Sequence, residues 1–372
     1  MDWLYLCEPE HMNIVKATQR YEEWLGQHTV LVKPDLRLKH EHMAEAAFPF
    51  LRATFYRWMQ IWPEVCLDLA NAPRVLAVGD LHVENLGTWR DVEGRLVWGI
   101  NDFDEAAVLP YTIDLVRLAT SAAMAIEDGH LAVKPKDACA AILDGYQESL
   151  VEQGRPFVLE EENVWLRQMA TGELRDPVHF WQKMESMPRV VGHIPASAKE
   201  ALEYVMPEQN LEYRVVRRIA GLGSLGRVRL VAIARCHGAK IAREAKALLP
   251  SAVHWATNDH GPTEIMYSAI ISQAVRCPDP FVQLRGHWIV RRLSPYCSRI
   301  ELSMLPRNRD ELRLLFAMGW ETANVHMGTP SAVKSVRRHL DKVTTGRLMA
   351  GAKAMKKAVM SDWRAWRESP ER

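Results

Sequence analysis

The chain has 372 residues, 48% of them hydrophobic and 25% charged, and a formal net charge of +1 at pH 7. That length can bury a substantial core in two or three lobes, and the near-neutral balance excludes a protein held to nucleic acid or anionic lipid by bulk charge. Six scattered cysteines (Cys7, Cys66, Cys139, Cys236, Cys277 and Cys297) with no Cys-x-x-Cys pair exclude a disulfide framework or zinc knuckle and suit the reduced thiols of a cytoplasmic protein.

The opening stretch "MDWLYLCEPEHMNIVK" is acidic where a secretory leader is basic, and its apolar run is short, in keeping with a cytoplasmic location. No run of about 18 uncharged apolar residues follows, so no membrane span is expected. "HEHMAEAAFPFLRATFYRWMQIWPEV" places Phe48, Leu51, Phe55, Trp58 and Met59 on one helical stripe, with Pro49 near its start. "RVLAVGD" reads as a buried strand, and "NLGTW" and "RLVWGIN" flank the polar turn "RDVEG" as a hairpin. "YTIDLVRLATSAAMAIEDG" is helical with Gly129 as its stop, and further helical patterns fill residues 134–206. The texture then becomes β-branched and glycine-punctuated in "YRVVRRIAGLGSLGRVRLVAIARCHGAKIAREA", and "PFVQLRGHWIVRRLS" adds a hairpin. From about residue 308 the chain is helical again. The expected class is α+β: a helical lobe over 1–206, a small β-rich lobe over 207–300, and C-terminal helices over 301–372 that complete the first lobe.

Two acidic clusters bracket the predicted hairpin. Gly79-Asp80-Leu81-His82 opens it and Asn101-Asp102-Phe103-Asp104-Glu105 closes it. Phosphoryl transfer needs a carboxylate to deprotonate or position the attacking hydroxyl, and hard oxygen ligands that hold magnesium against nucleotide phosphates. Asp80 and Asn85, five apart, with Asp102 beyond the hairpin, have the spacing of a kinase-type Asp-x-x-x-x-Asn loop followed by an Asp-Phe pair. A lone histidine such as His82 is by itself a packing or hydrogen-bonding residue. "AGLGSLGRVRL" holds Gly221-x-Gly223-x-x-Gly226, and glycines there let backbone N–H groups approach phosphates closely.

The first two motifs resemble the catalytic segment of the protein kinase-like superfamily, nearest its aminoglycoside and choline kinase branch, although Val78 stands where that branch has histidine. The glycine motif follows the catalytic segment instead of preceding it. That order resembles the uncharacterised bacterial family catalogued as domain of unknown function 2252, through "FLRATFYRW", "GDLHVENLG", "INDFDEA", "GLGSLGRVRL", "AREA", "IVRRL" and "ETANVHMG". The resemblance implies a two-lobed kinase-like fold whose small lobe is inserted late or permuted. It implies Asp80 as catalytic base with His82 and Arg52 beside it, and Asn85, Asp102 and Asp104 as the magnesium set. Gly221, Gly223, Ser224, Gly226, Arg243 and Arg291 become the nucleotide set, Asp114 a structural acid, and His326 a further cleft candidate. Ala53 replaces the family's glycine after Arg52, and Arg243 stands where a strand lysine is expected. Arginine also binds phosphate but docks differently, and Lys240 and Lys246 alternate onto the opposite strand face.

The resulting expectation is an ATP- and Mg2+-dependent phosphotransferase acting on a hydroxyl of a small molecule or protein. Adenylyl transfer is a variant, a nucleotide-binding pseudokinase is motivated by Arg243, and a two-metal phosphoesterase ranks last because no further histidine cluster appears. The expected partners are a nucleotide and a phosphoryl acceptor that the sequence does not name. The basic helices "SVRRHLDKV" and "GAKAMKKAV" read as solvated faces, not a nucleic-acid surface.

Overall fold

The computed structural model describes residues 12–160, 162–170, 176–190, 192–257, 264–295, 297, 302 and 310–370. Most of the opening stretch, Cys7 included, lies outside these residues, as does the end of the helical pattern at 171–174.

Five helices open the described chain: α1 (Ile14–His28), α2 (Lys33–Glu45), α3 (Ala47–Ala53), α4 (Phe55–Val65) and α5 (Leu67–Ala70). The apolar stripe predicted from Phe48 to Met59 is shared by α3 and α4, not carried on one helix. Thr54, at φ −123° and ψ 38°, breaks the run, and its hydroxyl donates to the Phe50 carbonyl at 2.7 Å. A hydroxyl that satisfies a backbone acceptor in this way competes with continued helix.

Strands β1 (Arg74–Ala77), β2 (Leu86–Arg90), β3 (Leu96–Ile100) and β4 (Ala107–Pro110) follow, then α6 (Thr112–Glu127), α7 (Pro135–Glu152), β5 (Phe157–Val158), α8 (Val164–Ala170), α9 (Pro177–Ser186) and α10 (Ala196–Tyr204). β1 and β4 form an antiparallel pair, while β2 and β3 form the predicted hairpin with β5 added at its edge. The hairpin turn is built on Asp91, whose Oδ1 accepts from the backbone N–H groups of Glu93 and Arg95 at 3.0 and 2.9 Å. A short acidic side chain that mimics a turn carbonyl is the usual reason for aspartate at this place.

The remaining elements are β6 (Tyr213–Arg217), β7 (Arg229–Cys236), β8 (Ala239–Ala247), α11 (Ala252–Ala256), α12 (Tyr267–Gln273), β9 (Gln283–Arg285), β10 (Trp288–Leu293), α13 (Glu311–His326), α14 (Pro330–Leu340) and α15 (Thr345–Glu368). Five of these strands make one antiparallel sheet in the order β6-β7-β8-β10-β9. Helices α9 and α10, which the sequence groups with the helices before them, cover this sheet. Ala198 and Leu202 of α10 pack on Leu230, Ala232, Ala245 and Val290, and Met184 of α9 packs on Val216, Val231 and Leu293 of the opposite face. Period-2 alternation therefore sorts β8 sharply: Ala245 and Ala247 go to the α10 face, Ala242 to the α9 face, and Glu244 and Lys246 go with Ala242.

The architecture is mixed α and β with three small sheets, and among the described residues no helix is long and apolar enough to cross a membrane. The largest core joins α1 to α7 with α13 and α15, and α11 and α12 return to it after the sheet. This places the open acidic end of the β2–β3 hairpin against the charged half of the five-stranded sheet.

Candidate functional site

Asp80 owes its position to a buried acid further along the chain. The N–H groups of Val78 and Gly79 donate to the Asp114 carboxylate at 2.7 and 2.9 Å, at the start of α6. His326 Nε2 lies 2.9 Å from the same carboxylate, and its Nδ1 lies 2.8 Å from the Tyr146 hydroxyl. His326 is thus a buried strut under the loop and does not reach the cleft. Gly79 has φ +82°, and a Cβ there would fall 2.4 Å from the Glu105 carbonyl, so only glycine fits between strand and loop.

The Asp80 side chain leaves that turn toward Arg117. The fully buried guanidinium of Arg117 donates through Nε to Asp80 Oδ1 at 2.9 Å and makes a second, shorter bond through Nη2. Arg117 is itself stacked between the rings of Phe55 and Trp58, with its Cζ 5.1 and 4.8 Å from their centroids. Burial pushes the Asp80 pKa up to about 6, Arg117 opposes it, and Asp102 adds to it.

Asn85 ties the loop to the far end of the hairpin. Its Nδ2 donates to the carbonyls of Asp80 and Asp102 at 3.2 and 3.0 Å, and its Oδ1 accepts from the Asp102 N–H at 3.1 Å. The Asp102 carboxylate is half-exposed, whereas that of Asp104 is nearly buried. Lys246 Nζ sits against both, 3.4 Å from Asp102 Oδ1 and 2.6 Å from Asp104 Oδ1. Burial raises the Asp102 pKa, but Lys246, the bond from Asp104, Arg291 and Arg229 outweigh it and hold the carboxyl well below its ordinary value. Asp104 is shifted the other way, by burial first and the neighbouring Asp102 charge second. Like charges so close push the two pKa values apart, and both carboxylates lie against the one Lys246 ammonium.

Glu105 also lines the cleft, and Arg227 bridges it to Asp104, whose Oδ2 lies 3.5 Å from Arg227 Nη1. Glu105 Oε2 accepts from the Ala252 N–H at 2.7 Å and the Ser251 hydroxyl at 3.0 Å, and Arg227 approaches its Oε1 at 3.4 Å. Burial outweighs these partners and pushes its pKa up to about 7.

The glycine turn closes the other side. Leu222–Ser224 make one 3-10 turn between Gly221 and Gly226, which have φ +77° and +96°. A Cβ on Gly223 would lie 3.0 Å from the Arg52 carbonyl and 3.6 Å from Asp80 Oδ2. Residues more than a hundred positions apart thus line one cleft, with Asp80, Asn85, Asp102 and Asp104 on one wall and Gly221, Gly223 and Ser224 on the other. Arg52 and His82 also line it. Arg52 Nη1 donates to Glu84 at 2.7 Å, while the His82 ring packs edge-on to Phe48 and accepts the Glu84 N–H on Nδ1 at 3.2 Å.

Behind the turn, Arg218, Arg229 and Arg291 converge on the fully buried Glu244. Arg291 Nε donates to Glu244 at 2.6 Å, and Arg218 Nη1 donates at 2.5 Å. Arg229 stands 3.8 Å away and donates to Ser224 Oγ at 2.8 Å. Burial lowers the Arg229 pKa, Glu244 opposes it, and the neighbouring Arg291 and Arg218 charges add to the lowering. Arg291 is therefore next to the cleft through Glu244. Arg243 is not brought to it: on the opposite face of β8, its Nε donates to the Val205 carbonyl at 2.9 Å and its guanidinium stacks on Phe281. From β8 it is Lys246 that reaches the Asp102 and Asp104 carboxylates of the cleft wall. Arg117, Arg227, Arg229 and Glu244 were not singled out from the sequence. Arg117 follows Asp114 by one helical turn, Arg227 and Arg229 lie inside the glycine motif, and Glu244 follows Arg243 on the next strand position, which are the local signals they offer.

With this geometry in hand, comparison places residues 31–210 in a match to a family described as "Uncharacterized protein conserved in bacteria (DUF2252)". The matched stretch carries Arg52, the Asp80 loop and the acidic hairpin, and it supports the family likeness read from those motifs. No curated protein and no solved structure matches the chain.

Proposed function

We propose that the protein is an ATP- and Mg2+-dependent phosphotransferase with a kinase-like two-lobed plan, in which the 213–293 sheet serves as the nucleotide lobe. The observation that carries this reading is the seating of the Gly223 turn directly over Asp80, beside the Asp102–Asp104 pair. A glycine turn without side chains can receive phosphates, and a carboxylate beneath it can receive a hydroxyl proton. The donor set fits a hard divalent cation: Asp102 is half-exposed, Asp104 lies beside it, the Asn85 amide oxygen borders them, and the pair already accommodates the Lys246 ammonium.

Bound at these oxygens, magnesium would neutralise charge on the transferring phosphate. The chain's own groups supply the rest. Asp80 takes the acceptor's proton on the oxygen that Arg117 leaves toward the glycine turn, and Arg117 fixes the carboxylate's orientation. The three guanidinium groups around one glutamate give the sheet face a local excess of positive charge suited to phosphate oxygens. The pseudokinase alternative rests on Arg243, which lies away from the cleft, whereas Lys246 contacts the Asp102–Asp104 pair, which supports the active reading.

The test combines nucleotide binding with a search for transfer. Wild-type protein is expected to bind ATP only with Mg2+. Asp102→Ala should weaken that binding by about tenfold or more, and Asp80→Ala should keep it while losing about 100-fold or more in any transfer rate. Magnesium-dependent ATP binding that survives intact in Asp102→Ala would remove the metal assignment. Equal transfer by Asp80→Ala would remove the base.

A further inference from the structure

Away from the cleft, the β7–β8 hairpin turns through His237 and Gly238, and Cys236 pairs with Ala239 across it. Both turn residues have positive φ, +48° and +80°, as a two-residue hairpin loop of this hand requires. Asparagine, aspartate or glycine is the favoured first residue of such a turn. Histidine is among the side chains that tolerate this region, so the turn holds its imidazole at the hairpin tip.

The ring of His237 is directed to Glu208, in the link between α10 and β6. His237 Nε2 lies 3.2 Å from Glu208 Oε1, and the Cys236 thiol donates to the same oxygen at 3.6 Å. All three potential ligand atoms lie within 4.8 Å of one another. Around a tetrahedral zinc ion, ordinary metal–ligand lengths give a sulfur–oxygen edge of about 3.6 Å and a nitrogen–oxygen edge of about 3.4 Å. The two edges that meet at Glu208 Oε1, 3.2 and 3.6 Å, therefore lie close to the lengths that metal binding would impose. Thiolate, imidazole and carboxylate form a mixed set that suits a borderline cation such as Zn2+, and the two anionic ligands balance its charge.

We infer that Cys236, His237 and Glu208 form a zinc site that fastens the α10–β6 link to the tip of the β7–β8 hairpin. Three protein ligands leave the fourth position to water. Binding expels the Cys236 proton to solvent, so affinity rises with pH. The site is separate from the nucleotide cleft and does not depend on the phosphotransferase reading.

Co2+ titration of chelator-treated full-length protein tests this directly. The expected result is one equivalent bound, with a thiolate-to-cobalt charge-transfer band, a tetrahedral ligand-field spectrum, and displacement by Zn2+. Cys236→Ser should abolish the charge-transfer band, and His237→Ala or Glu208→Gln should weaken binding by about tenfold or more. Circular dichroism of the chelated variants, expected to match wild type, separates loss of a ligand from loss of the fold. The site is refuted if wild type binds no stoichiometric Co2+, if its spectrum is octahedral without thiolate bands, or if the bands persist in Cys236→Ser.

Discussion

Lys246 and Arg243 show how one strand position decides what a side chain can do. The motif alignment puts Arg243 in the place of a phosphate-gripping lysine, yet β8 pairs Arg243 with Ala232 and Arg292, on the side that faces α10. Strand alternation read from the sequence already puts Lys246 on the other face. What the sequence withholds is which face fronts the cleft, because that depends on where α10 docks. Asp80, Asn85 and Asp102 were legible because their spacing is local to one hairpin; Lys246 meets Asp104 across 142 positions. Removing a charged hydrogen-bonding partner costs about 1.5–3 kcal/mol, roughly ten- to a hundredfold in binding where that partner is used. Lys246→Met is therefore expected to weaken Mg2+-ATP binding by about tenfold or more. Arg243→Met, which disturbs stacking on Phe281 and bonds to the Val205 and Ala242 carbonyls, all away from the cleft, should leave it within about twofold. Isothermal titration of both variants decides the matter, and the opposite ranking would return the phosphate role to Arg243.

At the level of elements, the closest helix contact is set by residues that no functional motif marks. Gly145 of α7 and Gly319 of α13 face each other's helices: a Cβ on Gly145 would fall 2.0 Å from the Phe316 carbonyl oxygen, and one on Gly319 would fall 2.0 Å from that of Ile142. The pair lets two backbones approach where other side chains would hold them apart. That contact matters to the site because α13 carries His326, the strut beneath Asp114, and Tyr146 of α7 braces His326 in turn. Sequence patterning located both helices, since apolar periodicity is a local property. It could not pair them, because a glycine inside a helix reads only as a weak position. The expected effect of Gly319→Ala is the balance of two terms. Alanine gains about 1 kcal/mol of helix propensity, but overpacking costs about 1–3 kcal/mol or more. Here the obstruction is backbone and cannot swing aside, so the second term wins. Gly319→Ala should lower the urea midpoint, whereas alanine at Gly129, where a Cβ meets nothing within 4 Å, should not act through packing. An unchanged midpoint in Gly319→Ala would mean that α7 and α13 can separate freely.

Across the whole molecule, buried carboxylates of two kinds set how stability responds to pH. Glu105, at the junction of the hairpin with α11, and Glu321, which accepts the Ile100 N–H at 3.2 Å beneath β3, are both pushed by burial from the ordinary 4.5 to about 7. Between those values the folded chain keeps protons that the unfolded chain has released, so stability falls as pH rises through the interval. Glu244 behaves oppositely. Burial alone would raise it, but Arg291, Arg218 and Arg229 hold it well below its ordinary value. The stability it contributes is complete above the unfolded pKa and is lost as pH falls beneath it. Asp102 adds to the same acid limb. The two windows meet near pH ~5, where the raised groups are still protonated and the lowered ones already charged. Thermal melts should therefore show Tm highest near pH ~5, falling toward pH ~8 and falling more steeply below about pH 4. Asp80 and Asp104, also raised by burial, add to the alkaline decline, so with glutamine mimicking the protonated acid the Glu105→Gln/Glu321→Gln double variant should show a clearly shallower alkaline decline and keep the acid limb. An alkaline decline equally steep in that variant would mean that other groups govern the response.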